Sequence, residues 1–108
     1  MFYQENDRLN DALATYTRIL AIDSTYAMAH YNMGYINYEY LRSYDEAIKE
    51  FSLAYRKNQG YAQAVYMRGL CFEAKGDVSR AAAEYNLALK IDPRYTKAAD
   101  GAKRVLRK

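Results

Sequence analysis

Tryptophan is missing from this 108-residue chain, and cysteine, histidine and proline each occur once. A single cysteine, Cys71, excludes an internal disulfide and a thiolate metal site, and leaves the redox compartment open. A single histidine, His30, leaves no second imidazole with which to build a ligand cluster. No P-loop, G-x-G-x-x-G or metal-ligand spacing is present. No apolar run approaches the roughly 18–20 residues that span a bilayer. The opening MFYQENDRLN has neither the basic nor the apolar region of a signal peptide. Net charge is small, +3, with Lys and Arg spread among Asp and Glu. That balance is too mild to require nucleic acid. Strand alternation, linkers and low-complexity stretches are absent as well.

What the chain has instead is tyrosine, thirteen against three phenylalanines. Tyrosine joins a large apolar ring to a hydroxyl that needs water or a partner, which suits half-buried seams and binding surfaces. Hydrophobic residues at 51% and charged residues at 27% describe one packed domain with a solvated surface.

The sequence also has a period. Ala12, Ala47 and Ala81 recur, as do Tyr16, Phe51 and Tyr85, then Tyr26, Tyr61 and Tyr95, and Gly34 returns as Gly69, each step being 34 or 35 residues. A fixed interval of that size marks stacked helical units, each unable to bury its apolar face alone. The pattern predicts an all-α chain of antiparallel helical hairpins stacked as a right-handed α-solenoid. It divides into a partial unit over 1–26, units over 27–61 and 62–95, and a capping helix over 96–108.

Local signals place the helices. Tyr3 lies nine residues before Ala12, as Tyr38 does before Ala47, so Met1–Glu5 reads as the last turn of a helix whose beginning is absent. The chain is therefore expected to be a fragment, or to have its missing front supplied by another molecule. Leu9, Ala12, Leu13, Tyr16, Ile19 and Leu20 make the apolar stripe of a helix from Leu9 to about Ile22, stopped by Asp23-Ser24-Thr25. Helices follow from Tyr26 to about Leu41, Tyr44 to Lys57 and Tyr61 to Lys75. Ser43 and Glu46 have capping-box spacing, and Gly60 is available for a left-handed cap. Gly76 stops the next helix and Asp77 caps the one after it, which runs to about Ile91. Asp92 is the expected N-cap of the last helix, with Pro93 as its first residue. That helix, to about Leu106, carries Ala98, Ala99, Ala102, Val105 and Leu106 on one side. Gly34 and Gly69 are read as points of close helix approach, and Ala47, Ala54, Ala81 and Ala88 as small residues at crossings.

The order of glycine, aromatic, alanine, aromatic, alanine and proline resembles the tetratricopeptide repeat. Asn32-Met33-Gly34, Tyr38, Ala47, Phe51 and Ala54 carry it in one unit. Arg68-Gly69, Phe72, Gly76-Asp77, Ala81, Tyr85, Ala88 and Asp92-Pro93 carry it in the next. His30 and Val65 stand where that family often has tryptophan, and Ser24 and Gln59 replace its closing proline. Lys103 stands where the last helix would have the close-approach glycine. The middle unit is one residue long, since Gly34 to Ala47 is 13 steps and Gly69 to Ala81 is 12. Either the helix absorbs the extra residue between Gly34 and Tyr38 as a π-bulge, or it continues regularly, Asn37 turns inward, and the turn near Arg42 widens.

The resemblance implies a non-catalytic protein-interaction scaffold without cofactor, metal or catalytic residue. It also implies that the first helix of each hairpin lines an inner groove for a protein or peptide partner. Mapped onto this chain, the groove residues are Met28, Tyr31, Asn32, Tyr35, Gln63, Tyr66, Leu70, Glu73, Lys97 and Arg104, with Asp100, and Tyr38 or Glu39, beside them. The alternative for Tyr31 and Tyr66 is that they cover the seam between helices. Relatives that clamp a C-terminal carboxylate use a Lys/Asn/Asn/Lys/Arg set. Asn32 matches its middle asparagine, but Gln63 and Met67 stand where Lys and Arg belong, so that clamp is not expected. His30 and Cys71 read as core residues. Two other functions stay open. One is self-association, or packing on a longer parent chain, through Leu13, Tyr16 and Leu20 of the incomplete first unit. The other, weaker, is nucleic-acid binding through Lys97, Lys103, Arg104, Arg107 and Lys108, a basic cluster that also suits a helix C-terminus.

Overall fold

A computed structural model of the chain describes residues 2–22 and 26–107, the side chains at 2–7 and 19–22 excepted. The described residues form six helices and no strand: α1 (Phe2–Ile22), α2 (Ala27–Glu39), α3 (Tyr44–Lys57), α4 (Ala62–Ala74), α5 (Val78–Ile91) and α6 (Thr96–Leu106). Packing is between neighbours, α2 on α3 and α4 on α5 within hairpins, and α1 on α2, α3 on α4 and α5 on α6 between them. The first helices also touch one another, α2 with α4 and α4 with α6, whereas α3 shares no such contact with α5 among the described residues. A stack whose first helices converge and whose second helices splay is curved, with α2, α4 and α6 on the inside.

The periodic small and large residues make the core. Ala47, Phe51, Ala54, Ala81, Tyr85 and Ala88 have no exposed surface. Tyr85 is held between two helices, because a Cβ on either Gly69 of α4 or Gly101 of α6 would meet its ring. Sequence spacing pointed to Gly69 and missed Gly101, which lies two residues before the position that was compared. His30 is buried as expected, Val65 is buried at the matching place, and His30 Nδ1 lies 3.2 Å from Glu50 Oε2.

Several local expectations need correcting. The first helix has no break near Glu5–Leu9. At the repeat position where Arg42 and Gly76 turn left-handed, α1 has Asp7 and no glycine or proline, so nothing stops the helix. Asp92 and Pro93 precede α6 instead of opening it. Asp92 Oδ1 accepts from the Arg94 N–H and the Asp92 carbonyl accepts from the Tyr95 N–H, which makes a turn with Tyr95 as N-cap. The Asn58–Tyr61 turn repeats both bonds one unit earlier, and Gly60 therefore has no positive φ. Ser43 begins α3 without a side-chain cap; its own N–H already bonds the Asn37 carbonyl at 2.8 Å, leaving Glu46 nothing to reach. Leu106, expected on the apolar side of α6, is exposed because no helix among the described residues covers that end. The stop at Asp23-Ser24-Thr25, the side chain of Leu20, and Lys108 lie outside the described residues.

The extra residue is taken up by the turn. Helix α2 runs regularly to Glu39, with the Tyr40 N–H bonded to the Ile36 carbonyl. The Ser43 N–H then reaches back six residues to Asn37, where the matching Asp77 N–H reaches back five to Phe72. Arg42 takes φ 53° to close the wider loop and Gly76 takes φ 84° to close the narrower one. The half-buried Asn37 bonds the Met33 carbonyl with its amide. Gly76→Ala is expected to cost about 1 kcal/mol in urea unfolding, from backbone conformation alone. Nothing lies within 4 Å of its Cβ position, so a much larger loss would contradict that origin.

Candidate functional site

The inner side is built by the N-terminal turns and exposed faces of α2, α4 and α6. Each of these helices has a tyrosine at its N-cap, Tyr26, Tyr61 or Tyr95, and the last two of these each end a tight turn. One helical turn or so further along stand Tyr31 and Tyr66. Their spacing brings the rings together across repeats. Tyr31 stacks on Tyr61 at 5.1 Å between centroids, and Tyr66 meets Tyr95 at 5.3 Å. Beneath them, Tyr31 touches the buried Phe51 and Tyr66 the buried Tyr85. The result is a row of four half-buried tyrosines standing on the two large core rings.

The hydroxyls of this row are chemically uniform. Those of Tyr31, Tyr61, Tyr66 and Tyr95 make no hydrogen bond among the described residues, yet no buried side-chain polar atom there lacks a partner. They therefore face water. Ring burial raises the pKa of all four, with Tyr95 pushed up to about 12 by burial and by the neighbouring Tyr31, Tyr66 and Asp92. Each hydroxyl keeps its proton at neutral pH.

The remaining expected groove residues fall into two depressions and the surface between. Met28 and Gln63 line an open hollow of 720 Å³ with Tyr26, Ala27, Asn58, Gly60 and Tyr61. Leu70, Glu73 and Arg104 line a second, of 370 Å³, with Tyr38 and Ala74. Tyr31, Asn32 and Tyr66 are half-buried, while Tyr35, Lys97 and Asp100 are exposed. Tyr26, Tyr61 and Tyr95 were legible as repeat marks but not as part of this face; their place at the start of each first helix was the available signal.

Glu73 and Arg104 form one unit. Arg104 Nε donates to Glu73 Oε2 at 2.7 Å and Nη2 to Oε1 at 2.8 Å. The Tyr85 hydroxyl donates to the same carboxylate at 2.7 Å. These bonds hold Arg104 charged and, with burial, push the Tyr85 phenol up. The basic face of α6 thus has one of its cations engaged by α4.

No constellation for chemistry appears among the described residues. Cys71 is fully buried, and burial pushes its thiol up to about 12, so it is not a nucleophile. No cluster of three or more His, Cys, Asp or Glu suited to a metal occurs among the described residues. Nor is any described helix long and apolar enough to cross a membrane.

Known proteins match this geometry. A family model described as tetratricopeptide repeat matches residues 36–96, more than half of the chain. The first TPR of Spaghetti (RPAP3), bound to the HSP90 peptide SRMEEVD, superposes with a TM-score of 0.85 at 20% identity, over 97% of this chain and 82% of that one. The Yersinia enterocolitica type III secretion chaperone SycD, in complex with a peptide of the translocator YopD, gives 0.85 at 16% identity, over 97% and 84%. MamA gives 0.84 at 26% identity, over 97% of this chain and 57% of that one. The first two likenesses, at such identities, establish the fold alone. No curated protein matches by sequence.

Proposed function

The chain belongs to the tetratricopeptide repeat family, a non-catalytic scaffold for protein interaction, and we propose that its inner face holds an extended peptide or partner segment along the tyrosine row. The observation that carries this reading is the row itself, Tyr31, Tyr61, Tyr66 and Tyr95, held by one stacked and one tilted ring contact across repeats and hydrophilic because its hydroxyls are unpartnered. Rigid aromatic area with free hydroxyls binds at low entropic cost. That Spaghetti and SycD were each solved with a peptide lends support to the same use of the fold.

Met67 bears on the kind of ligand. It stands where a clamp for a C-terminal carboxylate needs a cation, and it is buried in the cluster around Phe51. Arg104, a cation on this face, is engaged by Glu73. The ligand best suited to the groove is therefore an internal segment and not an acidic chain end.

Peptides selected from a random display library against the parent chain supply the test. Tyr31→Ala with Tyr66→Ala is expected to weaken them about 30-fold, as loss of a central aromatic anchor does, while the helical circular-dichroism signal is retained. Met28→Glu, at a side chain 53% exposed, should weaken them without touching the seam. Binding that neither change affects places the partner surface elsewhere.

A further inference from the structure

We infer that Glu73 and Arg104 are positioning residues, a clasp that sets the α6 half of the groove by holding Tyr95 against Tyr66, an inference that rests on the groove reading above. What holds α6 argues first. Its buried side is Ala98, Gly101 and Val105. These residues fix how closely α6 approaches, but apolar burial is non-directional and leaves a helix free to turn or slide. Two directional contacts with α4 remove that freedom. One is the Tyr66–Tyr95 ring contact at 5.3 Å. The other is the pair of hydrogen bonds from Arg104 to Glu73, at 2.7 and 2.8 Å. Tyr95 and Arg104 are nine positions apart, roughly 13 Å of helix, so α6 is pinned at two distant points. Without the second, the ring contact becomes a pivot.

The build of the clasp argues second. A guanidinium and a carboxylate joined by two parallel bonds have one geometry. The Glu73 side chain is only 12% exposed, and the Tyr85 hydroxyl donates to the same carboxylate at 2.7 Å. Tyr85 is in turn wedged between Gly69 and Gly101. The carboxylate is thus anchored to the core, and Arg104, 44% exposed, brings α6 to it. The other half of the groove has no equivalent. Helix α2 contains no lysine or arginine and its His30 faces Glu50, so no ion pair joins α2 to α4 among the described residues. The Tyr31–Tyr61 contact stands without a clasp. Loss of the pair therefore reaches Tyr95 and not Tyr31.

The test uses the library-selected peptides that the parent chain binds. Arg104→Ala is expected to weaken them about fivefold, with the circular-dichroism spectrum retained. Tyr95→Ala should then cost much less in the Arg104→Ala background than in the parent, while Tyr31→Ala costs the same in both. The exchange Glu73→Arg with Arg104→Glu re-forms the pair with its charges reversed, and the Tyr85 hydroxyl can accept from a guanidinium as it donates to a carboxylate. This double variant should bind the same peptides within about twofold of the parent. A direct contact with the peptide would behave otherwise, since the exchange would place the opposite charge beneath it and restore nothing. If the exchange binds no better than Arg104→Ala, or if Tyr95→Ala costs the same with and without Arg104, the inference is overturned and the groove reading survives. If the peptides are indifferent to Tyr31→Ala with Tyr66→Ala and to Met28→Glu, the groove reading falls and the inference falls with it.

Discussion

Gly69→Ala is expected to lower stability by about 2–3 kcal/mol, read as an earlier urea midpoint at unchanged slope. Alanine is the better helix former by roughly 1 kcal/mol, so propensity alone predicts the opposite sign. Packing decides the outcome. A Cβ at this position would lie 2.5 and 2.8 Å from two ring carbons of Tyr85, well inside van der Waals contact. The ring has nowhere to go. Its far side lies against Gly101, where a Cβ would come within 2.9 Å, and its hydroxyl is tied to Glu73. Gly34→Ala makes a similar clash with Phe51, but at 2.8 Å and against a ring without a hydroxyl to anchor it, so its cost is smaller. Gly60→Ala meets only Asn58 Oδ1 at 3.5 Å and serves as the neutral control.

A second substitution separates clash from any other origin. Tyr85→Leu in the Gly69→Ala background removes the ring that the new methyl strikes. The double variant is expected to lose less than the two single losses combined, because the sites share one contact. Strict additivity would sink the clash explanation. Loss of the ring also frees Glu73 and Arg104 from Tyr85, so the comparison is best made against Tyr85→Leu alone.

The same contact shows what was legible in the chain. Gly69 and Tyr85 were readable because Gly34 and Phe51 repeat them one unit away, and a repeated pairing reports a repeated contact. Gly101 has no such echo; its counterparts are Asn32 and Met67, so periodicity gave no hint that a second glycine would face the ring. The groove followed the same divide. Met28, Tyr31, Gln63 and Tyr66 were assigned to a groove through the resemblance to the tetratricopeptide repeat, helix phase showing only that each set shares one face of its helix. That Tyr31 would meet Tyr61 and Tyr66 would meet Tyr95, and that Glu73 and Arg104 would neutralise each other, depends on distances between residues about 30 positions apart. A hydrophobic period fixes which face a residue is on, not which neighbour it finds there. The extra residue near Gly34 illustrates the limit: its count was readable, but whether the helix or the turn absorbed it depended on Arg42 tolerating a left-handed backbone.

Arg68→Ala is expected to cost about 2–4 kcal/mol at neutral pH, through a carboxylate left without its cation. Arg68 of α4 donates to Glu84 of α5 at 2.5 Å and to Ser52 of α3 at 3.3 Å, and lies over the Tyr55 ring at 5.2 Å. It therefore ties three helices across the boundary between two hairpins. Both members of the ion pair are well buried, with side chains 14% and 17% exposed. Burial raises the Glu84 pKa above its ordinary 4.5 even though Arg68 opposes the shift. Without Arg68 that opposition disappears and the folded-state pKa rises further. A carboxyl whose pKa is raised by folding takes up a proton as the chain folds, so its cost is full above the folded pKa and fades as the pH falls towards 4.5. The loss caused by Arg68→Ala should accordingly be larger at pH 7 than near pH 4. Glu84→Gln, which cannot ionise, should restore part of the stability of Arg68→Ala at pH 7 and remove most of its pH dependence. A loss equal at both pH values would assign the effect to the Tyr55 and Ser52 contacts instead. In the preceding hairpin the matching carboxylate, Glu50, faces His30 rather than an arginine. The repeat thus keeps one acid on the second helix of each hairpin and changes the first-helix side chain that answers it, an imidazole in one and a guanidinium in the next.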